Sequence, residues 1–302
     1  MELQNFENIL ISGATGNSAY FFLKLLEEKN YKKKISVISR NKDKNNYFKQ
    51  FNLNFNILNG DIRDKNFLSK CFENIDIVLH AANMENSINI LEIGSKQKVK
   101  WFILVHSTMI FSKDISQFIK NRINIDKEIK EKYSNVTILN SSMIYGNDRD
   151  TNFSRLIKFM NKFMFFPIFG NGNNYMQPIY IEDLARSYYN VIKHKGKTFN
   201  KKYILAGKEP VRYIDILKTV KKKLNKKIIF IKIPIFLSVI LVKIFRILSL
   251  GTLRINTSQI IRLTENKIYN YSDAQKDFSF CPRGFEEGIE IQINKYKENN
   301  LK

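Results

Sequence analysis

A short apolar segment, Asn8 to Ser12, runs directly into Ser12-Gly13-Ala14-Thr15-Gly16-Asn17-Ser18-Ala19 and then into an amphipathic stretch of helical length ending near Glu28. A strand that turns into a helix through two glycines at this spacing admits few folds. Gly13 permits the tight turn, Gly16 removes side-chain bulk where backbone N–H groups must approach a diphosphate, and small Ala19 lets the helix pack close to a sheet. The helix N-terminus then presents its unpaired amides to an anion. A ligand-free bend would also select glycine, so the weight of the motif comes from its place between first strand and first helix.

The alternation continues. Apolar, β-rich runs at Ile35 to Ser39, Phe55 to Leu58, Ile75 to Leu79, Trp101 to His106 and Val136 to Asn140 are separated by amphipathic segments. That rhythm predicts an α/β fold, a doubly wound parallel (Rossmann) sheet with ligands beyond the carboxyl ends of its strands. After about Asp150 the pattern changes to longer helices, such as Asp183 to Lys193, with isolated strands such as Lys202 to Leu205. We therefore expect a dinucleotide-binding domain over 1–150 and a smaller, partly helical substrate lobe over 151–302, the two sharing one core.

Charge needs separate treatment. Fifty Lys and Arg against 28 Asp and Glu leave a formal charge of +22, which invites nucleic-acid or membrane readings. The cations are mostly Lys and accompany abundant Asn, Ile, Phe and Tyr, the residues of AT-rich codons, so runs such as Lys32-Lys33-Lys34 read as solvated faces. Nucleic acid is not an expected partner. Cys71 and Cys281 lie far apart and three His are scattered, so no metal site is expected. The opening residues lack a basic-then-apolar leader pattern, which points to the cytoplasm. The most apolar stretch, 233–250, is interrupted by Lys243 and Arg246. A bilayer span takes about 20 predominantly apolar residues. The stretch either packs on the body or lies on the inner membrane surface as a peripheral contact.

Around the glycine turn, other strand ends carry candidate chemistry. The second strand closes Val37-Ile38-Ser39-Arg40, without the acidic residue that would hold an NAD ribose. Arg40 suits a 2′-phosphate, which favours NADP(H) and leaves NAD(H) as the alternative. Asp61, in Gly60-Asp61-Ile62-Arg63-Asp64, can accept from an adenine amino group, and Ala81 and Ala82 after His80 let a ribose approach the backbone. The plainer alternatives are that Asp61 or Asp64 caps the next helix and that the Ala pair is core.

Together with Thr137-Ile138-Leu139, Met143-Ile144-Tyr145-Gly146, Gln177-Pro178-Ile179-Tyr180-Ile181-Glu182-Asp183-Leu184-Ala185 and Pro282-Arg283-Gly284-Phe285, these residues make the chain resemble the NAD-dependent epimerase/dehydratase family of extended and atypical short-chain dehydrogenase/reductases. The resemblance implies cofactor contacts from Gly13, Thr15, Gly16, Asn17, Arg40, Asp61, Ile62, His80, Ala81, Ala82, Arg122 and Met143, and substrate contacts from Arg149, Asn173, Gln177 and Arg212. It also implies a Ser or Thr after the fifth strand, matched by Ser107, and a Tyr with a Lys four residues on. Those two positions hold Phe118 and Arg122. A phenylalanine has no proton to give, and a guanidinium is a poor shuttle. His80, Asp126 and Tyr145 are substitute acid/base candidates. Two expectations stand: an NAD(P)-dependent epimerase, dehydratase or reductase acting on a nucleotide-linked sugar or similar polar molecule, or a non-catalytic dinucleotide-binding accessory or redox-sensing module.

Overall fold

The computed structural model describes residues 8–114, 116–240 and 262–300. Six strands stand where the apolar runs predict them, to within about two residues: β1 (Ile9–Ser12), β2 (Ile35–Ser39), β3 (Phe55–Asn59), β4 (Ile77–His80), β5 (Trp101–Ser107) and β6 (Val136–Ser141). Between them run α1 (Asn17–Glu28), a 3₁₀ segment (Lys42–Gln50), α2 (Lys65–Cys71), α3 (Ser87–Lys96) and α4 (Gln117–Lys132). The rest of the chain forms β7 (Ile144–Tyr145), α5 (Phe153–Lys162), β8 (Phe165–Phe169), β9 (Tyr175–Met176), β10 (Ile179–Tyr180), α6 (Ile181–Lys193), α7 (Lys195–Thr198), β11 (Lys202–Leu205), β12 (Val211–Arg212), α8 (Tyr213–Leu224), β13 (Ile229–Ile233), α9 (Ser272–Phe278) and α10 (Phe285–Asn300).

Seven strands make one parallel sheet in the order β11-β6-β5-β4-β1-β2-β3. Winding reverses between β1 and β4, and the crevice there is where such sheets take ligands. Every residue of β1, β2, β4 and β6 is buried, because helices cover both faces. Alternation along the strands sends Ile9, Ile11, Ile35 and Val37 to Phe22, Leu23 and Leu26 of α1 and Tyr188, Val191 and Ile192 of α6. Leu10, Val78, Phe102 and Leu104 face the other way, onto Leu68 of α2, Ile90 and Leu91 of α3 and Ile129 of α4.

Residues after 150 contribute to both parts of the molecule. Helix α6 packs on α1, and β11 completes the sheet beside β6, with Lys202 opposite Ile138 and Leu205 opposite Ser141. A separate core gathers Phe153, Ile157 and Met160 of α5, Ile216, Leu217 and Val220 of α8, and Phe285, Ile289 and Ile293 of α10. Strands β8 and β13 pair in parallel along its edge. Strand β8 carries Pro167, opposite Ile231, which is tolerated because β8 belongs to a two-stranded sheet and needs no ladder bond on its free side. The two-residue strands β7, β9, β10 and β12 are too short to show a period. Residues 235–240 are helical and 241–250, the rest of the apolar stretch, lie outside the described residues. No helix among the described residues is long and apolar enough to cross a membrane.

Candidate active site

The glycine turn is built as its sequence demands. Gly13 has φ +79°, and a Cβ there would lie 2.8 Å from backbone atoms of Ala81 and Ala82. The turn is therefore held against the end of β4, where the Ala81 amide donates to Ser12 O at 2.9 Å. Gly16 donates to Gly13 O at 2.8 Å and precedes α1, whose first turn has neither an acidic residue nor a side-chain cap. The leading amides of Asn17, Ser18 and Ala19 keep their donors for an anion. This cradle, left open in front of Gly16, where a side chain would meet only Gly13 O, fits the diphosphate of a dinucleotide. Thr15 and Asn17 are partly exposed around it.

His80 takes a different place from the one expected. It is wholly buried, its Nδ1 2.6 Å from Ser12 Oγ and its Nε2 3.1 Å from Asn83 O. Burial pushes its pKa down to about 4, so the neutral ring ties the ends of β1 and β4 together and offers no surface to a ligand. Ile62 is likewise buried. Ala81, Ala82 and Met143 are partly exposed, and Met143 also accepts from the Ile179 amide at 2.9 Å.

At the far end of the crevice, Asp61 is engaged by Arg63, whose Nη2 lies 2.6 Å from Oδ2 and whose Nε lies 3.0 and 3.1 Å from the two oxygens. Those hydrogen bonds hold the Asp61 carboxyl at about 2, with the nearby Arg40 guanidinium adding to the effect. Asp61 is thus an acceptor already in use. The helix-capping role falls to Asp64, which accepts from Asn66 and Phe67 amides at the start of α2. Arg40 is exposed at the end of β2.

Ser107 ends β5 opposite Ser141 of β6, its Oγ accepting from the Met109 amide at 3.2 Å. Across from it, α4 presents no phenol. Phe118 is 46% exposed, with the Arg122 guanidinium 4.5 Å from its ring centre. Arg122 Nη2 in turn reaches Glu85 Oε1 at 2.7 Å, and Nη1 lies 3.8 Å from Met84 Sδ. The other candidate acids and bases are spent elsewhere. Asp126 binds Lys202 at 2.6 and 2.8 Å. Tyr145 is buried against Phe153, Tyr180 and Phe285, and burial raises its pKa far above the ordinary phenol value.

The four expected substrate contacts sit in different surroundings. Arg149 lies 5.9 Å from the Tyr20 ring of α1, Asn173 is exposed in the loop before β9, and Arg212 pairs with Asp215 at 2.6 Å. Gln177 is buried: its amide nitrogen donates to Gly207 O at 2.8 Å and its oxygen accepts from the Tyr269 amide at 2.8 Å. It is a clamp within the lobe.

What sequence reading misses is the segment 262–269, which lies against the loop after β5. Glu265 accepts from Ser112 Oγ at 2.9 Å and from the Lys113 amide at 3.0 Å, and Arg262 pairs with Asp114. Tyr269 stands here, its ring 6.3 Å from that of Phe111 and its phenol close enough to the Thr108 hydroxyl, one residue beyond Ser107, to feel it electrostatically. Burial raises the phenol's pKa and the nearby Thr108 hydroxyl opposes that rise. Tyr269 and Thr108 are 161 positions apart, and no local pattern signals the contact.

The sequence pattern of the NmrA-like family matches residues 6–269. This chain belongs to that family. Within the family frame, its sequence is 37% identical over 104 residues to an inverting UDP-N-acetylglucosamine 4,6-dehydratase of Campylobacter jejuni subsp. jejuni serotype O:23/36 (strain 81-176), covering 32% of this chain and 29% of that enzyme. A second such dehydratase, from serotype O:2 (strain ATCC 700819 / NCTC 11168), is 36% identical over 105 residues with the same shares. The NmrA-like chain therefore spans under a third of the length of these curated relatives. In fold it is similar to a UDP-glucuronic acid 4-epimerase from Bacillus cereus solved with UDP-glucuronic acid and NAD, with TM-score 0.74, 18% identity and coverage of 97% of this chain and 99% of that one. A UDP-glucose 4-epimerase from Thermotoga maritima solved with UDP-glucose gives TM-score 0.72, 15% identity and coverage of 97% and 99%. The epimerase/dehydratase resemblance read from the strand-end motifs agrees with these neighbours, and the doubly wound fold is the expected one.

Proposed function

We propose that the protein is an NAD(P)-dependent oxidoreductase of the epimerase/dehydratase type whose substrate is a nucleotide-linked sugar. The observation that carries the reading is the open, uncapped start of α1 behind Gly13, set at the switch point of the sheet. It is supported by relatives and structural neighbours whose names speak of UDP-sugars and, in some, of NAD. The dinucleotide, when bound, supplies the hydride donor or acceptor. The chain's own residues bind and orient: amides of the glycine turn hold the diphosphate, Ala81 and Ala82 admit the ribose, and Ser107 Oγ offers a hydrogen bond to a substrate hydroxyl. Proton transfer, which α4 does not serve, falls in this reading to the phenol of Tyr269, which the segment 262–269 brings beside the loop after β5.

Arg40 favours NADP(H). It stands exposed at the end of β2, while Arg63, after β3, is held by Asp61, and a free guanidinium there suits a 2′-phosphate better than a bare ribose.

The second reading, a dinucleotide-binding module without turnover, is favoured by Phe118 and by the Arg122–Glu85 pair that occupies the usual catalytic helix. One experiment separates the two. Purified protein is titrated with NADPH and NADH by calorimetry, then incubated with a panel of UDP-sugars while nicotinamide absorbance and products are followed. Turnover supports the enzyme, tight binding without turnover supports the module, and failure to bind either nucleotide removes both.

A further inference from the structure

Base composition scatters Lys everywhere, but it does not remove acids from chosen places. Acids number 28 in 302 residues, yet none occurs from 151 to 181 or from 216 to 264. Those two runs supply the strands β8 and β13, which lie side by side with Phe165 opposite Ile229 and Pro167 opposite Ile231. One face of this pair sends Ile168 into the core of the second lobe. On the other, Phe165, Ile229 and Ile231 are exposed, Ile229 by 71%. Met164, whose carbonyl accepts from the Ile229 amide at 2.9 Å, is 72% exposed, and Phe163 sits 6.0 Å from the Phe165 ring.

Single exposed apolar side chains need no explanation, but five joined across two strands do. Their rim is cationic. Lys162 Nζ lies 5.4 Å from the Phe163 ring, and Lys226 and Lys227 stand exposed at the foot of β13. The acids that approach from α10, Glu286 and Glu290, are both paired with Lys223, at 3.7 and 2.7 Å.

We propose that the β8–β13 face docks on an anionic membrane surface, its apolar residues entering the headgroup–acyl boundary and its lysines meeting lipid phosphates. An apolar patch flanked by Lys162, Lys226 and Lys227, for which the described residues show no acidic partner, has that complementarity, whereas nucleic acid would use the charge and leave Met164 and Ile229 wasted.

The test is co-sedimentation of the full chain with vesicles of phosphatidylcholine alone or mixed with phosphatidylglycerol. Binding is expected only to the mixed vesicles, and loss of it in about 1 M salt, where charges are screened beyond about 3 Å. Met164→Glu and Ile229→Glu, both at exposed positions, should each lower partitioning at least about ten-fold, while Ile123→Glu on α4 leaves it unchanged. Equal binding by the variants, or none by the wild type, overturns the proposal. So does a dimer in light scattering that Met164→Glu dissolves, which would make the face a contact between copies of this chain. RNA that displaces the protein from vesicles through the same two residues would overturn it as well.

Discussion

Arg122 Nη2 lies 2.7 Å from Glu85 Oε1 while its guanidinium stacks 4.5 Å from Phe118, so the first turns of α4 carry a fixed charge and a hydrocarbon ring. Arg122 is mostly covered and Glu85 is half exposed. Arg122→Ala should therefore cost about 1 kcal/mol, through lost stem packing as much as lost charge. Phe118→Tyr adds a hydroxyl at an exposed position and should change stability by less than about 0.5 kcal/mol. Urea unfolding of the two variants measures both effects, and a larger loss for Phe118→Tyr would contradict the placement of that ring.

The two glycines of the turn should separate stability from binding. Gly13→Ala forces a Cβ onto the Ala81 backbone at a positive φ and should cost about 2–4 kcal/mol in thermal or chemical unfolding. A Cβ on Gly16 meets only Gly13 O, at 3.0 Å. Gly16→Ala should stay within about 1 kcal/mol of the parent, yet weaken NADPH and NADH alike, because the added methyl stands where a diphosphate approaches. Unchanged nucleotide affinity in a folded Gly16→Ala protein would argue against the cradle.

Arg40→Ala tests the phosphate preference. Loss of one charge-assisted contact should weaken NADPH by about 10- to 100-fold and leave NADH within about two-fold. Equal losses for both nucleotides in calorimetry would place Arg40 away from the 2′ position.

Tyr269→Phe removes only an oxygen. If this phenol carries the proton, turnover of a UDP-sugar should fall about 100-fold while dinucleotide affinity stays put. Thr108→Val should shift the alkaline limb of the pH–rate profile upward, since a hydroxyl beside the phenol favours its ionised form. An unmoved limb would leave Tyr269 a structural residue.

Two buried histidines set a pH dependence of stability. Burial lowers His80 from 6.5 to about 4 and His106, bound to Ser87 Oγ, from 6.5 to about 3. The unfolded chain binds protons at these sites below about 6.5 and the folded chain does not, so stability is full at neutral pH and falls as pH drops through that window. The slope should be about 1 kcal/mol per pH unit for each ring between pH 6.5 and 5, above the range where carboxylates titrate. Urea midpoints at pH 7, 6 and 5 give the slope. A flat profile would mean that the rings are not buried neutral, and His106→Gln should halve the dependence.

Much of the molecule is legible in the chain alone, for a physical reason. Strands buried on both faces must be apolar throughout, helices beside them must be amphipathic, and a strand-to-helix turn that approaches another backbone must be glycine, so β1 to β6, α1 and the Gly13 turn are written locally. Long-range contacts leave no such mark. Nothing near His80 says that Ser12, 68 positions away, will claim its Nδ1, and nothing near Gln177 says that Gly207 and Tyr269 will saturate its amide. Which polar side chains face the crevice, and that Tyr269 stands beside Thr108 where α4 offers Phe118, was decided only when the second lobe closed over the edge of the sheet.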